Sequence, residues 1–95
     1  MSDSIEKQYL SILIFWSRAH DLAPGMYGSF QFQRIDLHNA ICKKYGIEHQ
    51  VCARLTDNLD KYIGFDYHKD YTDAEMDTLT DSFIKELKVL VKQKE

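Results

Sequence analysis

Two stretches of this chain repeat apolar residues at the pitch of an α-helix, and that spacing limits the fold more than any other feature. Ile5, Tyr9, Ile12, Trp16 and Ala19 recur at steps of 4, 3, 4 and 3, and Met76, Leu79, Phe83, Leu87 and Leu90 at 3, 4, 4 and 3. Such steps keep side chains on one helical face, and that face has to be hidden against another element. Leu10, Leu13, Ile14 and Phe15 widen the first stripe. The first helix is therefore expected at the centre of its own bundle or at an interface with a second copy.

Local signals set the expected boundaries. Asp3 with Glu6 has the form of a capping box, so the first helix spans about 3–22 and stops before Pro24-Gly25. Residues 25–35 alternate Phe30 and Phe32 with Gln31 and Gln33, and no second alternating run exists to pair with a strand. This segment is expected to be an aromatic loop that lays Tyr27, Phe30 and Phe32 on the helices, with a helix beginning as early as Ser29 as the alternative. Asp36 as a cap and Leu37, Ile41 and Tyr45 on one face predict a second helix over 36–45, with Gly46 in the left-handed position past its end. Val51, Leu55, Leu59 and Tyr62 predict a third helix over 48–63, closed by Gly64. Thr72 and Glu75 form a T-x-x-E capping box, flanked by Tyr71 and Met76, and predict a fourth helix over 72–91. The fold expected is one compact all-α domain of four helices over residues 1–95, with the first and fourth helices packed antiparallel.

Composition removes several function classes. The 95 residues carry a formal net charge of −3, the wrong sign for a general nucleic-acid binder. The apolar run Leu10–Trp16 is far short of the roughly 18 residues that a membrane span needs. The acidic start, Met-Ser-Asp-Ser-Ile-Glu-Lys, lacks the positive charge of a signal peptide. Two cysteines, Cys42 and Cys52, are too few for a disulfide framework and fit reduced thiols in a cytoplasmic protein.

Several groups of residues bear on chemistry. His38 and Cys42, four apart, and His49 and Cys52, three apart, make a ligand set that zinc accepts. Without a C-x-x-C pair, the expectation is core cysteines and surface histidines, with no metal and no cofactor. Asp66, His68, Asp70, Thr72 and Asp77 fit an EF-hand frame poorly, because Tyr71 stands where the loop needs Gly. No nucleophile elbow, phosphate loop or H-E-x-x-H helix is present, so no catalytic residue is assigned and an enzyme is not expected. The helices at 36–45 and 48–63, joined at Gly46-Ile47, have the outline of a helix-turn-helix that would offer His49, Gln50 and Arg54 to base edges.

The last pattern is a charged aromatic loop. Residues 57–81 hold eight acidic and two basic side chains, and within them Tyr62, Phe65, Tyr67 and Tyr71 alternate with Asp66, His68, Lys69 and Asp70. Tyrosine is enriched at interaction hot spots, and flanking acids steer a basic partner. Phe65, Asp66, Tyr67 and Asp70 are therefore the expected protein-binding residues, with Tyr67 the exposed ring. The function expected is a small non-enzymatic module, an adaptor or inhibitor of a larger protein with a basic surface, in the style of the compact modulators that phages and mobile elements encode. A homodimer through the first helix is part of that expectation, and a helix-turn-helix transcriptional regulator is the alternative.

Overall fold

Ser4 leads into the first helix by accepting the Lys7 amide on its Oγ at 3.2 Å and the Gln8 amide on its carbonyl at 2.9 Å. The computed structural model describes residues 4–22 and 24–94, so the expected cap at Asp3 lies outside the described residues. The described residues form five helices: α1 (Ile5–Leu22), α2 (Pro24–Tyr45), α3 (His49–Thr56), α4 (Leu59–Ile63) and α5 (Asp73–Lys94). No strand occurs among the described residues, and the all-α expectation holds. No described helix is long and apolar enough to cross a membrane.

Two expectations about the elements are corrected. The segment 25–35 is not a loop, because α2 starts at Pro24 and runs unbroken through it to Tyr45. Proline is tolerated in a first turn, where its missing N–H would have had no helical partner. Gly25 and Gly28 each disfavour a helix by about 1 kcal/mol relative to Ala. Packing along α1 outweighs that: Trp16 meets Tyr27 at 5.7 Å between ring centroids, Phe15 stacks on Phe30 at 6.0 Å, and the Arg34 guanidinium lies 4.9 Å over Trp16. Asp36, expected as a cap, is instead an exposed residue inside the helix.

The expected helix over 48–63 is in fact two. Thr56, Asp57 and Asn58 break it, since such side chains compete for backbone hydrogen bonds. Thr56 Oγ1 donates to the Ala53 carbonyl at 3.3 Å and Asn58 Nδ2 to the Arg54 carbonyl at 2.8 Å. The break re-aims the residues beyond it. Leu55 and Leu59 stay buried, Tyr62 turns outward, and Phe65 enters the core in its place.

Both glycine terminators hold their left-handed conformations, φ +64° at Gly46 and +68° at Gly64. After Gly46 the Ile47 amide donates back to the Cys42 carbonyl at 3.0 Å and the Ile47 side chain is buried, as in a Schellman ending. The Thr72–Glu75 box forms in full: the Thr72 amide donates to Glu75 Oε1 at 3.0 Å and the Glu75 amide to Thr72 Oγ1 at 3.2 Å.

The breadth of the α1 stripe has an intramolecular cause. Its principal partner is α2, not α5 as expected, and α5 covers a further side, so Tyr9, Leu10, Ile12, Leu13 and Ala19 are all buried. Tyr9 stacks on Phe83 of α5 at 6.0 Å, and Lys7 reaches Asp73 and Asp77 at 2.7 and 2.8 Å. Ile41, Cys52, Leu59, Phe65 and Leu87 complete a core drawn from every helix. Glu6 is also fully buried, and its Oε1 accepts from Lys44 Nζ at 2.6 Å and Tyr45 Oη at 2.9 Å. That contact clamps the start of α1 to the end of α2.

Candidate functional site

The turn between α4 and α5 is short, aromatic and tied to itself. Phe65, buried, anchors it, with Tyr71 stacked at 5.9 Å and Tyr67 set edge-on at 5.1 Å. The Asp66 amide donates to Tyr71 Oη at 3.0 Å, and the His68 amide to Asp66 Oδ1 at 2.9 Å, an Asx-type turn. Such bonds fix the ring positions before anything binds.

Beside this turn lies an open depression of about 540 Å³, lined by Asp57, Asp60, Gly64, Phe65, Asp66 and Tyr67. Asp57 comes from the break that ends α3, Asp60 from α4 and Asp66 from the turn, so three elements each bring an acidic residue to one depression. No basic side chain lines it among the described residues. Burial pushes the Tyr67 hydroxyl above its ordinary value of 10.0, and the charges of Asp60 and Asp57 push it further. The arrangement suits a cation: carboxylates attract it, and a ring face offers a further contact.

Three of the four expected binding residues therefore meet, and one does not. Asp70 is salt-bridged to Arg18 of α1. Tyr67 is half-buried rather than the exposed ring expected, and Tyr62 is the more exposed at 53%. Asp57 and Asp60 were visible in the sequence only as surplus acid. The EF-hand frame does not assemble: Asp66 accepts the His68 amide, Asp70 pairs with Arg18, Thr72 caps α5 and Asp77 pairs with Lys7.

The helix-turn-helix outline is altered as well. Its second helix is the eight-residue α3, which exposes Gln50 and Arg54 with Glu48 and Asp57 at its two ends. His49 is exposed too, but its ring packs edge-on against His38 at 4.4 Å between centroids.

That contact is part of a second cluster. His38 is buried on α2, not on the surface as expected, and Cys42 Sγ lies 3.8 Å from its Nδ1. Burial holds the His38 imidazole below its ordinary pKa of 6.5, helped by His49 and Arg34 and opposed by Asp57. Cys52, on α3, is fully buried, as expected for a core cysteine, and its thiol is pushed up to about 12 by burial and the adjoining Cys42 sulphur. Neither cysteine is in a disulfide. No family model, curated protein or solved structure matches this chain.

Proposed function

We propose that the protein acts by stoichiometric binding to another protein, and that it takes a basic side chain of that partner into the Asp57–Asp60–Asp66 depression. The observation carrying this reading is that Asp57, Asp60 and Asp66 line one depression with Phe65 and Tyr67, and that no cation lines it among the described residues. A guanidinium over an exposed ring gains about 0.5–1 kcal/mol, and more where water is excluded. The carboxylates add charge-assisted hydrogen bonds and speed encounter with a basic surface. The same acidity disfavours the regulator alternative, because Asp57 and Glu48 flank the face of α3 that would approach phosphates.

The test uses the full chain, ¹⁵N-labelled, titrated with a short arginine-rich peptide and separately with random-sequence duplex DNA at low salt. Peptide-induced shifts centred on Asp60, Asp66 and Tyr67, abolished in an Asp57→Lys/Asp60→Lys/Tyr67→Ala variant that keeps its melting temperature, support the reading. Shifts centred elsewhere overturn it. Salt-sensitive DNA binding that maps to Gln50 and Arg54 replaces it with the regulator.

A further inference from the structure

His38, Cys42 and His49 come from two helices, and the turn at Gly46-Ile47 that joins those helices folds the residues onto one point. One donor atom from each lies within 4.8 Å of the other two. Donors around a single zinc ion are separated by about 3.3–3.8 Å, given Zn–N near 2.0 and Zn–S near 2.3 Å. Binding would draw the donors together by about 1 Å. We propose that His38, Cys42 and His49 bind zinc through three protein donors, leaving a fourth position for water or a small anion.

Two further observations point to a ligand here. His38 is 4% exposed, yet its Nε2 has no hydrogen-bond partner. A buried imidazole nitrogen left unsatisfied forfeits about 1–3 kcal/mol unless something occupies it. His38 Nδ1 faces Cys42 Sγ at 3.8 Å, so Nε2 is the ring nitrogen left without a partner. The second observation is access. A depression of about 300 Å³, lined by Arg34, Ile35, His38, His49, Ala53, Thr56 and Asp57, opens onto both histidines from solvent. An ion has a route in to both histidines. Arg34 also lines this opening and its charge opposes a cation there, although its guanidinium lies over Trp16 at 4.9 Å and its Nε donates to Gln31 Oε1 at 3.3 Å. Asp57 supplies a compensating negative charge at the rim.

The donor set selects the ion class. One thiolate with two imidazoles suits zinc, whereas magnesium and calcium want oxygen ligands that this cluster lacks. Binding is balanced by protons: the Cys42 thiol loses one to solvent as its sulphur bonds to zinc, and both histidines bind as neutral rings. This cluster shares only Asp57 with the acidic depression, and its test leaves Asp57 unchanged, so zinc and partner binding are read separately.

The experiment takes the full chain, reduced and freed of metal by chelator, and titrates it with zinc against a competing chromophoric chelator. One zinc per chain is the expected result. Cobalt(II) as a spectroscopic stand-in should give the visible bands of a four-coordinate site and a near-ultraviolet thiolate-to-cobalt band. Cys42→Ser should remove the thiolate band, and His49→Gln, at an exposed position, should weaken zinc by at least about tenfold, since even outer-sphere changes cost 10–100-fold. Both variants must keep the helical circular-dichroism spectrum of the parent. Cys52→Ala should retain zinc. Absence of stoichiometric zinc in the parent overturns the proposal, as does binding that survives both Cys42→Ser and His49→Gln. Loss of zinc in Cys52→Ala as complete as in Cys42→Ser overturns the three-donor assignment.

Discussion

Lys44→Met tests the clamp that holds the α1–α2 hairpin shut. Glu6 is fully buried, and its Oε1 lies 2.6 Å from Lys44 Nζ and 2.9 Å from Tyr45 Oη, while Oε2 has no partner. Methionine keeps the apolar stem and deletes the charge, leaving a buried carboxylate on neutral donors alone. Removing one member of a fully buried pair costs about 3–5 kcal/mol. Lys44 is 52% exposed, so water already screens half of this pair. The relevant scale is a hydrogen bond to a charged group, about 1.5–3 kcal/mol, and about 2 kcal/mol is expected here. With a urea dependence of about 1 kcal/mol/M for a domain this small, the unfolding midpoint should fall by about 2 M.

The acid limb supplies an independent readout. Burial alone would raise the Glu6 carboxyl, but hydrogen bonds from Lys44, from its own backbone amide and from Tyr45 outweigh it and hold the pKa below 4.5. A depressed folded value means that the stabilisation is complete above the unfolded pKa of about 4.3 and drains away as pH falls through the folded one. The parent should therefore lose stability below about pH 4.5 along a slope that Lys44→Met flattens. A midpoint shift under about 0.5 M with an unchanged acid limb would make the pair an ordinary surface contact, worth about 0–1 kcal/mol, and would refute the clamp.

Packing and backbone geometry give three further outcomes. Phe83→Ala, which empties a fully buried position against Tyr9, should cost about 3–5 kcal/mol by urea denaturation, and a cost under about 2 would mean that the core collapses into the gap. Gly46→Ala should cost about 1–2 kcal/mol although its Cβ meets nothing within 4 Å, because the left-handed φ itself is the penalty; Gly46→Asn should cost less in the same assay. Thr72→Ala should cost about 1 kcal/mol and selectively speed amide exchange at Glu75, the donor that Thr72 Oγ1 accepts.

The parts of the fold that local chemistry decides were legible in the sequence. Gly46, Gly64 and the Thr72–Glu75 box each stand where their backbone conformation or hydrogen bond requires that residue type. The apolar steps of α1 and α5 were legible because period and burial agree. Residues 25–35 were not, because propensity and packing oppose each other there. Two glycines and alternating aromatics argue for irregular chain, and only the rings of Phe15 and Trp16, seated on Phe30 and Tyr27, make helix the better solution. Glu6 holds a role that local spacing does not announce. Its spacing from Asp3 suits a cap, whereas its partners are 38 and 39 residues away.

Sites drawn from several elements are hardest to read, and the two clusters here show why. A run such as Phe65-Asp66-Tyr67 announces a charged aromatic turn, but whether Asp57 and Asp60 join it depends on where the helix breaks. Unbroken from 48 to 63, that helix would carry Asp57 and Asp60 on a face fixed by the Leu55–Leu59 stripe. The break at Thr56–Asn58 instead turns α4 and sets both acids beside Tyr67. The histidine–cysteine cluster has the same dependence. His38 and Cys42 share a face at any helical register, yet they meet His49 only because the Gly46 ending reverses the chain within three residues and returns α3 alongside α2. Spacing within one helix proposes donors, and the turn between helices decides whether they converge. A single left-handed glycine thus links backbone geometry to chemistry. Gly46→Ala should accordingly loosen zinc more than it loosens the core around Phe83, which an exchange experiment with and without the metal would separate.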